Sequence, residues 1–307
     1  MTKKIIIDTD PGIDDALAIA LLCNSPEVEI AAITAANGNL PAEDSLRSVY
    51  RILSFLRVSE KPMIGVGRDW PRTADDARHI HGNDGLANTY LPAFTRQTAE
   101  PASKLISSIL TGSRKPVTIV ALAPLTNIAD ALDRVEGKTK LERIIVMGGA
   151  FHVPGNASPV GEFNVFHDPE SARTVINSGL PVTIVPLDIT TSIVFTVRDF
   201  DVFSHSKAGA GKLARMLLPF YLQAHRRYHK LDGVHLHDPI AAALIVAAEL
   251  FTTKKAWVDV ETEGEITRGQ TVIDDRPFSP KAPNVDVVTA VDAEALKNFI
   301  LARLAEE

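Results

Sequence analysis

A single cysteine, Cys23, stands among 307 residues. No intrachain disulfide can form, and such usage fits a reducing compartment. Cys23 sits in an apolar helical run and reads as a buried structural thiol. Long apolar stretches are missing as well. The longest uncharged one, 240–248, is too short to cross a bilayer. Only three isoleucines precede Asp8, too few for the apolar core of a secretion signal. The expectation is a soluble cytoplasmic protein. Excess positive charge is absent: the formal net charge is -6 and the pI about 5.9. Nothing here draws nucleic acid or an anionic membrane. No repeat, low-complexity tract or composition shift marks a linker, so one domain over 1–307 is expected.

What the chain does have is a crowd of carboxylates. Asp8-Thr9-Asp10-Pro11-Gly12-Ile13-Asp14-Asp15 places four of them in eight residues. An apolar run precedes this stretch and another follows it, so it reads as a strand-to-helix turn with Pro-Gly supplying the bend. Crowded acidic groups repel one another and resist burial. A hard cation or bound hydroxyl groups would offset that cost. The plainer reading makes Asp14 and Asp15 helix caps at a positive helix end. It does not account for Asp8 and Asp10.

Further along, strands are expected at 28–34, 62–67, 117–122, 143–147, 181–186, 256–260, 270–273 and 285–290. Helices are expected at 41–57, 102–110, 124–132, 169–177, 212–230 (interrupted by Pro219), 238–250 and 293–304. The polar segment 68–98 shows no clear period and reads as a functional or disordered loop. Alternating apolar strands and helices indicate an α/β, Rossmann-like fold: a mostly parallel central sheet with helices on both faces.

Ligands of such sheets bind beyond the carboxyl ends of the strands. Asp8, Asp10, Asn37, Asn39, Thr126, Asn127, Asn156, Glu162, Asn164 and Asp188 all fall at or just after strand ends, on one expected rim. Singly, each could be an ordinary turn or cap residue. His237-Asp238-Pro239 opens a later helix. Asp238 could be an N-cap before a first-turn proline, or a further carboxylate for a cation with His237 as proton donor beside it.

The first block resembles the signature of the nucleoside hydrolases, the inosine-uridine-preferring ribohydrolases. The resemblance recurs in order at 36–39, 81–86 (His81-Gly82-Asn83-Asp84-Gly85-Leu86), 123–127, 147–149, 161–164 with 168–170, and 237–239. It runs nearly end to end. It implies hydrolysis of the N-glycosidic bond of ribonucleosides and a bound Ca²⁺. The implied ion ligands are Asp10, Asp15, Asp238 and the carbonyl of Thr126. Asp14 and Asn39 would hold the 2′ and 3′ side of the ribose, and Asn156, Glu162 and Asn164 the 3′ and 5′ side, with Phe163 and Met147 nearby. Asp10 would be the general base and His237 the acid, with inversion at C1′. The base would meet His81 and a helix carrying Tyr221, His225, Tyr228 and His229. The alternative is a surface helix with amphipathic aromatics. Trp70 and Trp257 lie outside that helix, so the chain looks more like pyrimidine-preferring or broad-specificity members than like the branch that stacks purines on tryptophan. A role in nucleoside salvage and a homo-dimer or homo-tetramer are implied too. Two other functions stay open on the residues alone. Asp8-x-Asp10 after a strand mimics a haloacid-dehalogenase-type, Mg²⁺-dependent phosphatase, although the following Pro-Gly-Ile-Asp-Asp run fits that pattern poorly. A nucleoside-binding protein without turnover is the other.

Overall fold

The computed structural model describes residues 2–58, 61–69, 76–89, 91, 98–135 and 139–306. Nine strands form one sheet in the order β4-β3-β2-β1-β5-β6-β7-β11-β8. They are β1 Lys3–Thr9, β2 Val28–Ala35, β3 Met63–Val66, β4 Glu100–Pro101, β5 Val117–Ala121, β6 Leu141–Met147, β7 Val182–Val185, β8 Phe251–Ala256 and β11 Val285–Val291. All neighbours pair in parallel except β8, which runs antiparallel to β11 at one edge. A separate antiparallel pair joins β9 Val258–Val260 to β10 Thr271–Ile273.

The β1 sequence shows why this strand lies at the centre. Ile5 and Ile7 point into one core, with helix α1 (Ile13–Cys23), while Ile6 points into the other. Burial on both faces leaves no polar position between Lys4 and Asp8. Beyond Asp15, helix α1 is apolar all round, and ten of its eleven residues are buried. It packs against α9 (Gly209–Ala224), α10 (His237–Ala243) and α11 (Ala293–Ala305), with α2 (Ala42–Leu56) alongside. Helices α4 (Ala102–Gly112), α5 (Thr126–Leu132) and α7 (Pro169–Ile176) cover the opposite face. The short α3 (Arg78–His81), α6 (Phe163–His167) and α8 (Leu187–Thr190) lie in connections. Each fully buried Ile or Leu contributes roughly 1.5–3 kcal/mol, so the site rests on a stiff floor.

Several expectations need correction. The helix expected over 238–250 ends at Ala243, and a new edge strand, β8, begins at Phe251. Its run Thr252-Thr253-Lys254-Lys255 is exposed, so it carries no apolar period to read. The strand expected over 256–260 is two strands of different sheets. Pro219 does not interrupt α9; the helix continues to Ala224 and then widens into a π-helical turn, His225–His229. The segment 68–98 contains α3, while 70–75, 90 and 92–97, Trp70 included, lie outside the described residues. Among the described residues, no helix is long and apolar enough to cross a membrane.

Candidate active site

The sheet order reverses between β1 and β5: the chain moves from β1 to β2, β3 and β4 on one side, then returns to β5 on the other. That switch point leaves a crevice beyond the carboxyl ends of β1 and β5. Asp8 and Asp10 stand at its β1 wall and Thr126 and Asn127 at its β5 wall.

Asp10 is buried. Its Oδ2 accepts the Asn39 amide at 2.6 Å, and the Asn39 Nδ2 donates to the Asp10 carbonyl at 3.1 Å. Its Oδ1 is buried without a hydrogen-bond partner. Gly38 makes this fit possible, because a Cβ there would come within 2.0 Å of Asp10 Oδ2. Asp15 accepts from the Thr9 hydroxyl at 2.5 Å and from the Gly12 amide at 2.9 Å, and Asn39 Nδ2 lies 3.3 Å from it. The capping reading is therefore correct for Asp15, which folds back on the first amides of α1. Capping does not exhaust its function. Carboxylate oxygens of Asp14, Asp15 and Asp238 lie within 4.8 Å of one another, all buried, and could hold a metal ion. This trio contains Asp14 where the resemblance implied Asp10.

Burial drives the charges of this cluster. It pushes Asp14 up to about 8, with repulsion from Asp15 adding to the shift. Burial and then Asp15 raise Asp10, and burial, Asp15, Asp14 and Asp10 raise Asp238. Four such groups facing one another without a cation favour protonated forms. An all-oxygen set of this kind suits a hard divalent ion.

Asp8 sits deeper. Its Oδ1 accepts from Thr34 at 2.5 Å and from Asn127 Nδ2 at 2.9 Å, and burial pushes it up to about 7. It ties β1 to β2 and to the start of α5. Thr126 beside it donates its hydroxyl to Asp168, which caps α7.

The other wall comes from β6 and α6. Glu162 is buried and caps α6: Oε1 accepts from Asn164 N, and Oε2 from Gly149 N and Val165 N, at 3.0–3.1 Å. Asn164 Nδ2 donates to the carbonyls of Leu122 and Met147, at 2.9 and 3.1 Å. Its amide nitrogen is therefore committed to the scaffold, and its oxygen is the atom left to a ligand. Asn156 is exposed and its Oδ1 accepts the Phe163 amide at 2.8 Å. Phe163 packs on His167 with ring centroids 3.9 Å apart. Asp188, also expected on this rim, instead accepts the amides of Phe151 and His152.

A histidine cluster closes the other side. Tyr221 is buried, stacks on His81 at 5.5 Å and meets His225 edge-on at 4.3 Å. Its hydroxyl lies between Asp14 and the His235 carbonyl, 3.3 Å from the latter. Tyr221 and His225 thus point inward, against the surface-helix reading, while Tyr228 and His229 are exposed. His237 is half-buried, its Nδ1 2.7 Å from the Thr190 hydroxyl. Burial holds its pKa well below the usual value, with His235, His225, His229 and His81 adding to the effect. Thr190 was not foreseen. In sequence it is one more threonine after a strand, and only the fold brings it to His237.

With this geometry in place, the comparisons with known proteins are specific. Residues 5–298 match the family described as inosine-uridine preferring nucleoside hydrolase. The chain belongs to the nucleoside hydrolase family. It is 38% identical over 316 residues to a pyrimidine-specific ribonucleoside hydrolase, RihA, of Klebsiella pneumoniae subsp. pneumoniae, covering 99% of each chain. Its identity to the RihA of Escherichia coli O127:H6 is also 38%, over 313 residues and 99% of each. A plant nucleoside hydrolase structure superposes with a TM-score of 0.91 at 32% identity over 100% of both chains. A purine-preferring ribonucleoside hydrolase from Gardnerella vaginalis gives 0.88 at 31%, over 99% of this chain and 98% of that one. A nucleoside hydrolase is an N-glycosidase acting on small-molecule ribonucleosides. The phosphatase alternative falls with this assignment. The structure gives a physical reason too: Asp8, the would-be nucleophile, is fully buried and hydrogen-bonded into the scaffold.

Proposed function

We propose that this nucleoside hydrolase prefers pyrimidine ribonucleosides and works with Ca²⁺ held by Asp10, Asp15, Asp238 and the Thr126 carbonyl. The observation that carries the reading is the buried carboxylate cup at the switch point, with Asp10 Oδ1 buried and partnerless. A bound Ca²⁺ would orient the sugar diol and lower the pKa of a water in its shell. Asp10 takes the proton of the attacking water as general base. Asp14 and Asn39 hold the 2′ and 3′ hydroxyls, and Asn156, Glu162 and Asn164 the 3′ and 5′ side, with Met147 beneath. These oxygens also stabilise the positive charge that grows on the ribosyl ring as the bond to the base lengthens. His237 donates to the departing base through its ring N–H. Water adds to C1′ from the opposite face, the C1′–N bond breaks, and free base and inverted ribose leave.

Pyrimidine preference is supported by the pyrimidine-specific RihA relatives and by the lack of tryptophan between Tyr221 and His229. Trp257 is engaged elsewhere, under the Lys281 ammonium at 4.6 Å. The same reading assigns the enzyme to cytoplasmic nucleoside salvage as a homo-dimer or homo-tetramer.

The test is base release from uridine, cytidine, inosine, adenosine and 2′-deoxyuridine, with and without a chelator. Uridine and cytidine should turn over fastest, deoxyuridine poorly, and chelation should stop all of them. Tight nucleoside binding without base release would return the chain to the binding-protein alternative. Faster inosine turnover would sink the pyrimidine preference alone.

A further inference from the structure

Among the described residues, Thr190 is a fully buried polar side chain with no role in the chemistry so far. It ends α8, the short helix that follows β7. The helix is anchored on both sides. The Leu187 amide donates to the Gly149 carbonyl at 2.8 Å, and Asp188 holds the amides of Phe151 and His152 at 2.9 and 2.8 Å. The Thr190 amide closes the turn onto the Pro186 carbonyl at 3.1 Å. The hydroxyl is thereby presented from a rigid element to His237 Nδ1 at 2.7 Å.

The direction of that bond follows from donor accounting. The hydroxyl carries one proton, and the bond to His237 is the hydrogen bond it makes. If it accepted from Nδ1–H, its own proton would be buried unsatisfied, at a cost of about 1–3 kcal/mol. Donating to Nδ1 satisfies both groups, and in a neutral imidazole that leaves the ring proton on Nε2. Neighbouring histidines show the opposite setting. The His225 Nδ1 donates to the Tyr221 carbonyl at 3.1 Å and the His235 Nδ1 to the Ile193 carbonyl at 3.1 Å, so both keep a bare Nε2. His81, whose Nδ1 faces the Ile13 amide at 3.0 Å, shares the His237 setting, so in this cluster a donor facing Nδ1 sets one tautomer and a carbonyl the other.

We infer that Thr190 is the positioning residue for His237: its hydroxyl fixes the ring orientation and the neutral Nε2–H tautomer that hydrogen-bonds the leaving base, which departs as its anion and takes its proton from water. This rests on the reading of His237 as the donor to the leaving base, and the experiment separates the two. Thr190→Val keeps the buried volume and removes the hydroxyl, Thr190→Ser keeps the hydroxyl, and His237→Ala removes the ring. Each is assayed on uridine, whose base is a poor leaving group, and on 4-nitrophenyl riboside, whose aryl group leaves unaided.

Thr190→Val should lose roughly tenfold or more in kcat on uridine, with KM little changed, and should keep most turnover of the aryl riboside. Thr190→Ser should restore uridine turnover. The Thr190→Val/His237→Ala double variant should be no slower on uridine than His237→Ala alone. If His237→Ala shows the leaving-group split but Thr190→Val loses equally on both substrates, the positioning role is overturned and the donor survives. If His237→Ala shows no split, the donor reading falls and takes this inference with it. Wild-type protein labelled with ¹⁵N-histidine gives a readout that needs no variant to fold. The His237 resonance should show Nδ1 unprotonated and Nε2 protonated, and the reverse pattern would overturn the assignment.

Discussion

The amide of Ile13 donates to Nδ1 of His81 across 3.0 Å. An amide can only donate, so His81 accepts at Nδ1 and carries its proton on Nε2. Burial holds the ring down to about 3, with His225, His79 and His229 adding to the effect, so it stays neutral through the working pH range. Residue 81 is thereby fastened to the turn that carries Asp14 and Asp15. His81→Ala should leave the Ile13 amide unpaired and cost about 1–3 kcal/mol of stability. It should also lower kcat/KM for uridine by about tenfold or more. Steady-state kinetics and denaturant unfolding check both. An unchanged kcat/KM would remove His81 from the site.

Chelation should lower both activity and Tm, and added Ca²⁺ should restore both by mass action. The pH dependence has a definite sign. Asp14 is raised to about 8 by burial and then by Asp15, against an ordinary value of 3.8. Its contribution to the ion-free fold is complete below about 4 and is lost as pH rises through about 8. Asp8, raised to about 7, acts in the same direction. The Tm gap between loaded and chelated protein should therefore widen from pH 5 to pH 8. A gap that stays constant with pH would contradict this.

Asp8 offers a cleaner stability comparison. Asp8→Asn can present its oxygen to Thr34 and Asn127 but sets its amide nitrogen where Oδ2 is buried without a partner, so it should lose stability, though less than Asp8→Ala. Asp8→Ala leaves Thr34 and Asn127 only their longer contacts to the Ile7 and Ala35 carbonyls, at 3.4 and 3.3 Å, and should cost roughly 2–4 kcal/mol. Urea unfolding of the two variants side by side reads the difference.

The strands around the site were legible because their apolar runs are unbroken, as in Ile5-Ile6-Ile7 and Val117 to Ala121. The rim residues followed from the rule that ligands collect at strand ends, and Asp10, Asn39, Thr126, Glu162 and Asn164 do gather there. Asp188 fell at such an end too and turned out to hold a loop. Strand end alone does not distinguish ligand from scaffold, since the same side chain serves either purpose. Strand β8 was missed because its exposed Thr-Thr-Lys-Lys run has no apolar face to reveal a period of two. Thr190 and the inward turn of Tyr221 depend on how separate elements dock, which no local spacing encodes.

His225 gives the acid-side prediction. It is held down to about 3 by burial first and then by His229, against an ordinary value of 6.5. Its contribution to stability is complete above about 6.5 and is lost as pH falls toward 3, at no more than about 1.4 kcal/mol per pH unit. His225→Gln should be less stable than wild type at pH 7, and the gap should shrink as pH falls to 4. Thermal unfolding across that range checks it, and a gap that grows toward acid pH would reverse the sign.

The carboxylate cup draws Asp10, Asp14 and Asp15 from the first fifteen residues and Asp238 from α10, more than two hundred residues later. Helices α1 and α10 pack directly on each other. During synthesis the early carboxylates emerge long before the residue that completes their trio. Until α10 docks, a cation has only part of its cradle. A complete cradle for an ion therefore requires α10 docked on α1. A nascent or truncated chain lacking α10 is left without the cup.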